Sequence, residues 1–196
     1  MKQVKIKNTV FNDAMKTIQG TLGKTNDRPI LQKCKCEVDE QYIRFISLDG
    51  YAATILKFEH KQKDIEKFDF LFSPFAVSKD KQGIKDVTIE AFDGYVSFKW
   101  FDDDLNEIER KVKTVAGQYV DVDRVYESNR AKDGATICVD ANLLIKALKG
   151  FTNGAGRHGV KITIDRTNPI MPLFIKSVDN ELGEIETIVL PIRGVQ

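Results

Sequence analysis

Apolar and polar residues alternate over Val4-Lys5-Ile6-Lys7-Asn8-Thr9-Val10-Phe11, the period of a half-buried strand. Asn12 and Asp13 supply side-chain oxygens suited to starting a helix. Phe11, Ala14, Met15, Ile18 and Leu22 then fall on one helical face, with Gly23 as the stop. Three strands follow: Ile30 to Val38, Tyr42 to Ser47 and Tyr51 to Phe58, with turns at Asp39-Glu40-Gln41 and Asp49-Gly50. The element order is β-α-β-β-β.

The same order recurs after the lysine-rich connection Lys61 to Lys67. Phe68 to Phe72 alternates as a strand, Pro74 suits the first turn of a short helix through Lys81, and strands are expected over Val87–Phe92, Tyr95–Phe101 and Glu107–Val115. A third copy starts near residue 135. Thr136 to Val139 reads as a strand, Asp140 as an N-cap, and Leu143, Leu144, Ala147, Leu148 and Phe151 as an amphipathic stripe. Val160–Asp165, Met171–Val178 and Ile185–Leu190 complete it as strands, separated by Thr167-Asn168-Pro169 and Asp179-Asn180. The expected division is a domain over 1–116 holding two units, a polar connector over 117–134, and a half domain over 135–196. The repeat is one of element order, since the copies share negligible sequence.

Composition narrows the class. The 196 residues are 42% hydrophobic and 30% charged, ordinary for a soluble globular protein. No apolar run approaches the roughly 20 residues that span a bilayer, and no signal-like stretch follows Met1. A cytoplasmic protein without a membrane partner is expected. Three cysteines do not make a disulfide framework. Cys34, Cys36 and Cys138 read as reduced residues packed in or near a core, because His60 and His158 fall at no supporting spacing for a metal.

Catalytic constellations are missing from the chain: there is no Gly-rich nucleotide loop, no Gly-x-Ser-x-Gly and no His-Glu-x-x-His. Asp102-Asp103-Asp104 reads as a solvated turn rather than a cation site. Gly150 to Gly159 follows a helix instead of preceding one, so its amides gain no helix N-terminus for a phosphate. No enzyme, cofactor or metal is expected. Net charge is +1, so any polyanion binding must come from the distribution of lysines. Lys16 and Lys24 lie off the first apolar stripe and Lys146 and Lys149 off the third, while Arg157 sits in the Gly-rich loop. Lysines on such faces also serve simply as solvated surface.

The last strand-like run, Glu184 to Gly194, is β-branched and apolar with Pro191 inside it, which places that proline at an edge or strand end. Its ending, Ile188-Val189-Leu190-Pro191-Ile192-Arg193, resembles the terminus of bacterial DNA sliding clamps, the polymerase III beta-subunit type. Two other stretches are similar to the same family. Arg28-Pro29-Ile30-Leu31 and then Ser47-Leu48-Asp49-Gly50-Tyr51-Ala52-Ala53 resemble its strand, Asp-Gly turn and following strand, and Tyr119-Val120-Asp121-Val122-Asp123-Arg124-Val125 resembles its Phe-Pro-Asp-Tyr connector.

The resemblance implies an α+β, DNA-clamp-like fold of three β-α-β-β-β units, with helices lining a ring and sheets outside. It implies a non-enzymatic processivity factor binding duplex DNA non-specifically through Lys16, Lys24, Lys79, Lys146, Lys149 and Arg157. It also implies a groove for a short apolar peptide of a DNA polymerase or clamp loader. Leu48, Gly50, Tyr51, Ala52 and Ala53 would form one wall, and Val189, Leu190, Pro191 and Ile192 the other. Ala52 and Ala53 stand where the family commonly has Arg and Leu, which implies a shallower groove. Val120 and Glu127 replace two usual prolines of the connector. Family rings close with twelve units, so a chain of three units implies a homo-oligomer, a dimer or a tetramer, in which the third unit completes a domain with a neighbour's. The alternatives are a clamp-fold scaffold that does not encircle DNA, an enzyme with an illegible site, and an interaction module with merely solvating lysines.

Overall fold

Alternation at the N-terminus produces a shorter strand than the pattern suggests. In the computed structural model, which describes residues 2–78, 85–129, 136–152, 159–168, 170–178 and 185–192, strand β1 spans Gln3–Lys7 and helix α1 spans Asn8–Gln19. The helix therefore begins at Asn8, not at Asn12 or Asp13. No side chain caps it. Asn8 and Asn12 instead tie the helix to a later segment: Asn12 Nδ2 donates to Asn8 Oδ1, Asn12 Oδ1 accepts from Val77 N at 3.0 Å, and the buried Asn8 donates to Ser78 O at 3.0 Å. Phe11, Ala14, Met15 and Ile18 are buried as the helical spacing predicts, while Leu22 lies past the helix and is half-buried.

Gly23 does not stop the helix, which ends at Gln19. Its amide donates to Leu31 O at 2.9 Å, and a Cβ there would lie 2.8 Å from Leu31 Cβ, so close approach explains the glycine. A 3-10 turn over Pro29–Gln32 replaces the first part of the strand expected from Ile30. Strands β2 (Cys34–Val38), β3 (Tyr42–Leu48), β4 (Ala53–Glu59) and β5 (Phe68–Phe72) follow, then β6 (Asp86–Phe92), β7 (Tyr95–Phe101) and β8 (Glu107–Lys113). The short helix expected from Pro74 does not form over residues 74–78. Phe75 and Val77 are buried, and the asparagine bonds hold this stretch in an irregular path. The rest of that expected helix, to Lys81, lies outside the described residues.

Sheet order shows how the first two repeats combine. One sheet runs β4-β3-β2-β5 and the other β1-β6-β7-β8, all antiparallel. Each repeat thus gives its first strand to the other repeat's sheet. Val4 pairs with Ile89 and Ile6 with Val87, while Phe72 pairs with Cys34 and Phe70 with Cys36. A single core collects the inward residues of both sheets and of α1. Phe98 lies at its centre, with ring centroids 4.9 Å from Phe75, 5.4 Å from Phe72, 5.9 Å from Phe11 and 6.0 Å from Phe70. Cys34 and Cys36 are fully buried here, and burial pushes both thiols well above their ordinary range.

The expected connector contains helix α2 (Val122–Asn129). Tyr119 and Val122 are buried with Leu31, Ile46, Leu48 and Leu71, and the Tyr119 hydroxyl donates to Lys33 O at 3.0 Å. The chain forms two compact units, Met1–Tyr126 and Glu127–Gln196.

The second unit holds one copy of the repeat. Thr136 to Val139 contributes only an isolated bridge from Val139 to Pro191, flanked by Ile192 N donating to Cys138 O at 2.8 Å. Asp140 caps helix α3 (Ala141–Lys149) as predicted, accepting from Asn142 N at 2.8 Å and Leu143 N at 3.0 Å. Strands β9 (Val160–Thr163), β10 (Leu173–Ser177) and β11 (Glu186–Val189) form a sheet in the order β11-β10-β9. Phe151, Leu173, Ile175 and Val189 make its small core. The stripe predicted for α3 is only partly sunk: Leu144, Ala147 and Leu148 pack on that core, whereas Leu143 is exposed. The Asp179-Asn180 turn, Pro169 and most of the Gly150 to Gly159 loop lie outside the described residues.

Candidate functional site

The Asp49-Gly50 turn is built by one carboxylate. Asp49 Oδ1 accepts from Tyr51 N and Ala52 N, each at 2.8 Å, and these amides hold the carboxyl below its ordinary range. Gly50 sits at φ +97°, a conformation L side chains rarely adopt. The strand expected from Tyr51 consequently starts at Ala53, and Tyr51 projects from a stiff turn with its ring fully in solvent. Thr21 Oγ1 lies 2.7 Å from Ser47 Oγ and 2.9 Å from Thr54 Oγ1, fastening the chain after α1 to the base of this turn. Leu48 does not face outward. It is buried against the cluster that holds Tyr119 and Val122, so it supports the turn from beneath. Ala52 and Ala53 are exposed, and a shallow depression beside the turn is lined by Leu22, Lys24, Arg28 and Leu31 with Asp49 and Tyr51.

The C-terminal run belongs to the second unit. Alternation along β11 turns Val189 into the core, while Ile188 and Leu190 face out at 57% and 62% exposure. Pro191 is half-buried beside Val139 and Ile192 is exposed. A largely apolar groove lies within this unit, lined by Leu143, Lys146, Ala147 and Gly150 at the α3 end and by Ile188 and Leu190. Of the four residues expected here, Val189 is core, and Ile188 and Leu143, which were not among them, line the groove. The signal for Ile188 was present in the strict alternation around Val189. Leu143 carried none, because its stripe position pointed to the core.

The basic candidates divide. Lys16 is exposed on α1 opposite its buried face, and Lys146 and Lys149 are exposed on α3. Lys24 is exposed but lies beyond the end of α1, in the depression beside Tyr51, so it is not on a helix face. Lys79, Arg157 and Arg193 lie outside the described residues. Elsewhere, Asp102 accepts amides of Asp104 and Asn106 and serves as the turn the sequence favoured. Among the described residues, no group of three metal-ligating side chains converges. No helix among them is long and apolar enough to cross a membrane.

Two repeats that exchange first strands, the first with a helix and the second with an irregular stretch over 74–78 in its place, followed by a helix and three further strands, make an α+β fold of the DNA sliding-clamp type. Solved structures of bacterial clamps share it. The DNA polymerase sliding clamp of Bacillus subtilis superposes with a TM-score of 0.73 at 14% identity, over 96% of this chain and 49% of that one. The DNA polymerase III beta chain of Streptococcus pneumoniae gives 0.76 at 14% identity, over 97% and 49%. The beta subunit of Thermotoga maritima gives 0.72 at 15%, over 97% and 50%. The chain spans about half the length of these clamps. No protein-family model and no curated protein matches the sequence. The resemblance read from Arg28 to Leu31 with Ser47 to Ala53, from Tyr119 to Val125 and from Ile188 to Arg193 holds at the level of the fold.

Proposed function

We propose that this protein is a non-enzymatic, cytoplasmic processivity factor of the sliding-clamp kind, an oligomer that holds duplex DNA without reading its sequence. The observation that carries this reading is the fold itself, shared over nearly the whole chain with bacterial clamps. Lys16, Lys146 and Lys149 support it, being exposed cations on the outward faces of the two helices that each follow a repeat's first strand. Such point charges attract phosphates and carry no base-specific geometry. Short apolar peptides of a polymerase or loader are the proposed partners. The groove of Leu143, Ala147, Ile188 and Leu190 would seat their side chains.

Retention on DNA tests the reading. A clamp stays on closed circular duplex and slides off the same duplex once it is linearised, and its initial binding weakens steeply with salt. The double substitution Lys146→Glu, Lys149→Glu should reduce the slope of log affinity against log salt by about 2, since each phosphate contact contributes about 0.9. Equal retention on circular and linear DNA would mean a clamp-fold scaffold that does not encircle. Unchanged salt dependence in the double variant would mean that these lysines only solvate their helix.

A further inference from the structure

Strand β1 lies at the end of its sheet, paired with β6 on one side and, among the described residues, with no strand on the other. Lys2 O accepts from Ala91 N at 2.9 Å and Asn8 N donates to Lys85 O at 3.0 Å, so Lys2, Val4, Ile6 and Asn8 bond toward β6. Alternation turns the amides and carbonyls of Gln3 and Lys5 to the outer edge. There the Gln62 side chain meets Lys5 as a strand would. Its Oε1 accepts from Lys5 N and its Nε2 donates to Lys5 O, both at 2.9 Å. A primary amide with both bonds made copies a single peptide unit, without the chain on either side of it.

A groove of about 570 Å³ lies beside this edge, between β1 and the end of β4. Ligand sites typically hold about 300–1,000 Å³. The apolar part of its lining is Ile6 and Ile43, both buried, with the half-buried Val10 and Phe58. Its charged part is Lys5, Lys7, Lys57 and Lys61 against two acids, Glu59 and Asp86. Asp86 is already bonded to Lys7 at 2.9 Å. The groove therefore combines an open strand edge, an apolar lining and an excess of lysine.

An extended chain laid along β1 would take over both Lys5 bonds and add others at Gln3. Its side chains would alternate between the two faces of the sheet. Those opposite Lys5 and Lys7 meet the lysines, and those between them meet Ile6, Val10 and Phe58. We propose that β1 accepts an added strand from a partner protein, an extended peptide that alternates acidic and apolar residues and displaces the Gln62 side chain. The excess of lysine selects the acidic positions, and the two-residue period selects the extended form. A second copy of β1 is a poor occupant, since it would set lysines opposite lysines. None of these residues is among the proposed DNA contacts Lys16, Lys146 and Lys149, so the proposal stands apart from the clamp reading.

Fluorescence anisotropy of the full chain with a labelled peptide of alternating glutamate and valine tests it. Binding should saturate, and the double substitution Lys5→Glu, Lys61→Glu should weaken it about tenfold, since each opposed cross-strand charge pair is worth up to about fivefold. Gln62→Ala should instead tighten binding, because it removes the competitor for Lys5. The same peptide with N-methylated backbone amides should not bind, nor should a peptide of alternating lysine and valine. In the Gln62→Ala chain, the Lys5 amide should exchange rapidly with deuterium alone and slowly with peptide bound. Trp100, in the core of the same unit, reports through its unfolding midpoint that each variant is folded. No binding of the glutamate peptide, equal binding of its N-methylated form, or weaker binding to Gln62→Ala overturns the proposal. Displacement by single-stranded DNA with no protection of the Lys5 amide would make the groove a general polyanion surface, and overturns it too.

Discussion

Helices α1 and α3 carry similar apolar stripes, but only one of them is buried. α1 sinks Phe11, Ala14, Met15 and Ile18 completely, without any side-chain cap. α3 has the Asp140 cap and yet buries no residue fully, leaving Leu143 and Ile145 at 51% and 54% exposure. Propensity and capping therefore do not decide burial here. What differs is the material opposite the helix. In the first unit two repeats exchange strands and pool their aromatic residues into one core. In the second, the buried core among the described residues is Phe151, Leu173, Ile175 and Val189. Amphipathicity alone does not bury a helix; the apolar surface packed opposite it does.

The largest effect should come from breaking the shared core. Phe98 is fully buried and touches rings contributed by both repeats, so Phe98→Ala should cost about 3–5 kcal/mol. Trp100 is the sole tryptophan and lies in this same core, so its fluorescence reports the first unit alone. Urea unfolding followed at Trp100 should show a greatly lowered midpoint in that variant. A change under 1 kcal/mol would mean that the two repeats are stabilised separately and that the comparison drawn between the units is mistaken.

Much of the first unit was legible because its strands alternate cleanly and its turns carry Asp-Gly or Asp-rich signals. β3, β5, β6, β7 and β8 fall within about two residues of their expected positions. The errors have tertiary causes. The start of α1 moved to Asn8 because Asn8 and Asn12 are spent on holding residues 77–78, a demand from 65 or more residues away in the chain. Gly23 looked like a helix stop and is a close-approach glycine against Leu31. The exchange of β1 and β5 left no trace in local pattern, since a strand's period does not name its partner. α2 was hidden in a polar stretch where, among the described residues, Tyr119 and Val122 are buried and make no stripe. At the candidate groove, the turn and the terminal run were both found, but which face each residue presents was not: Leu48 and Val189 went to cores, and Ile188 to the surface.

A middle-sized effect should confine itself to the second unit. Asp140→Ala removes the acceptor for Asn142 N and Leu143 N and should cost about 1 kcal/mol. The loss should appear as reduced helical circular dichroism at mild urea, with the Trp100 transition unmoved. Because α3 has no fully buried residue to hold it, a larger share of its helicity should depend on this cap than α1, uncapped but buried, would ever require. Equal shifts in both signals would show that the two units unfold together.

The smallest effect tests where the first unit ends. Arg44 of β3 donates to both carboxylate oxygens of Asp123 in α2, at 2.9 and 2.7 Å, and this pairing holds the Asp123 carboxyl below its ordinary range. The pair is half in solvent, so it should contribute no more than about 1 kcal/mol. A depressed folded-state value means that the unfolded chain binds the proton more readily. The contribution is therefore complete above the ordinary carboxylate value of about 4 and is lost as pH falls below it. Asp123→Asn should lower the Trp100 unfolding midpoint slightly at pH 7, and the gap from the unsubstituted protein should close as pH drops toward 3. A gap that persists at acid pH would assign the loss to packing of α2 rather than to the ion pair. No gap at any pH would mean that Tyr119 and Val122 alone hold this helix start on the first unit.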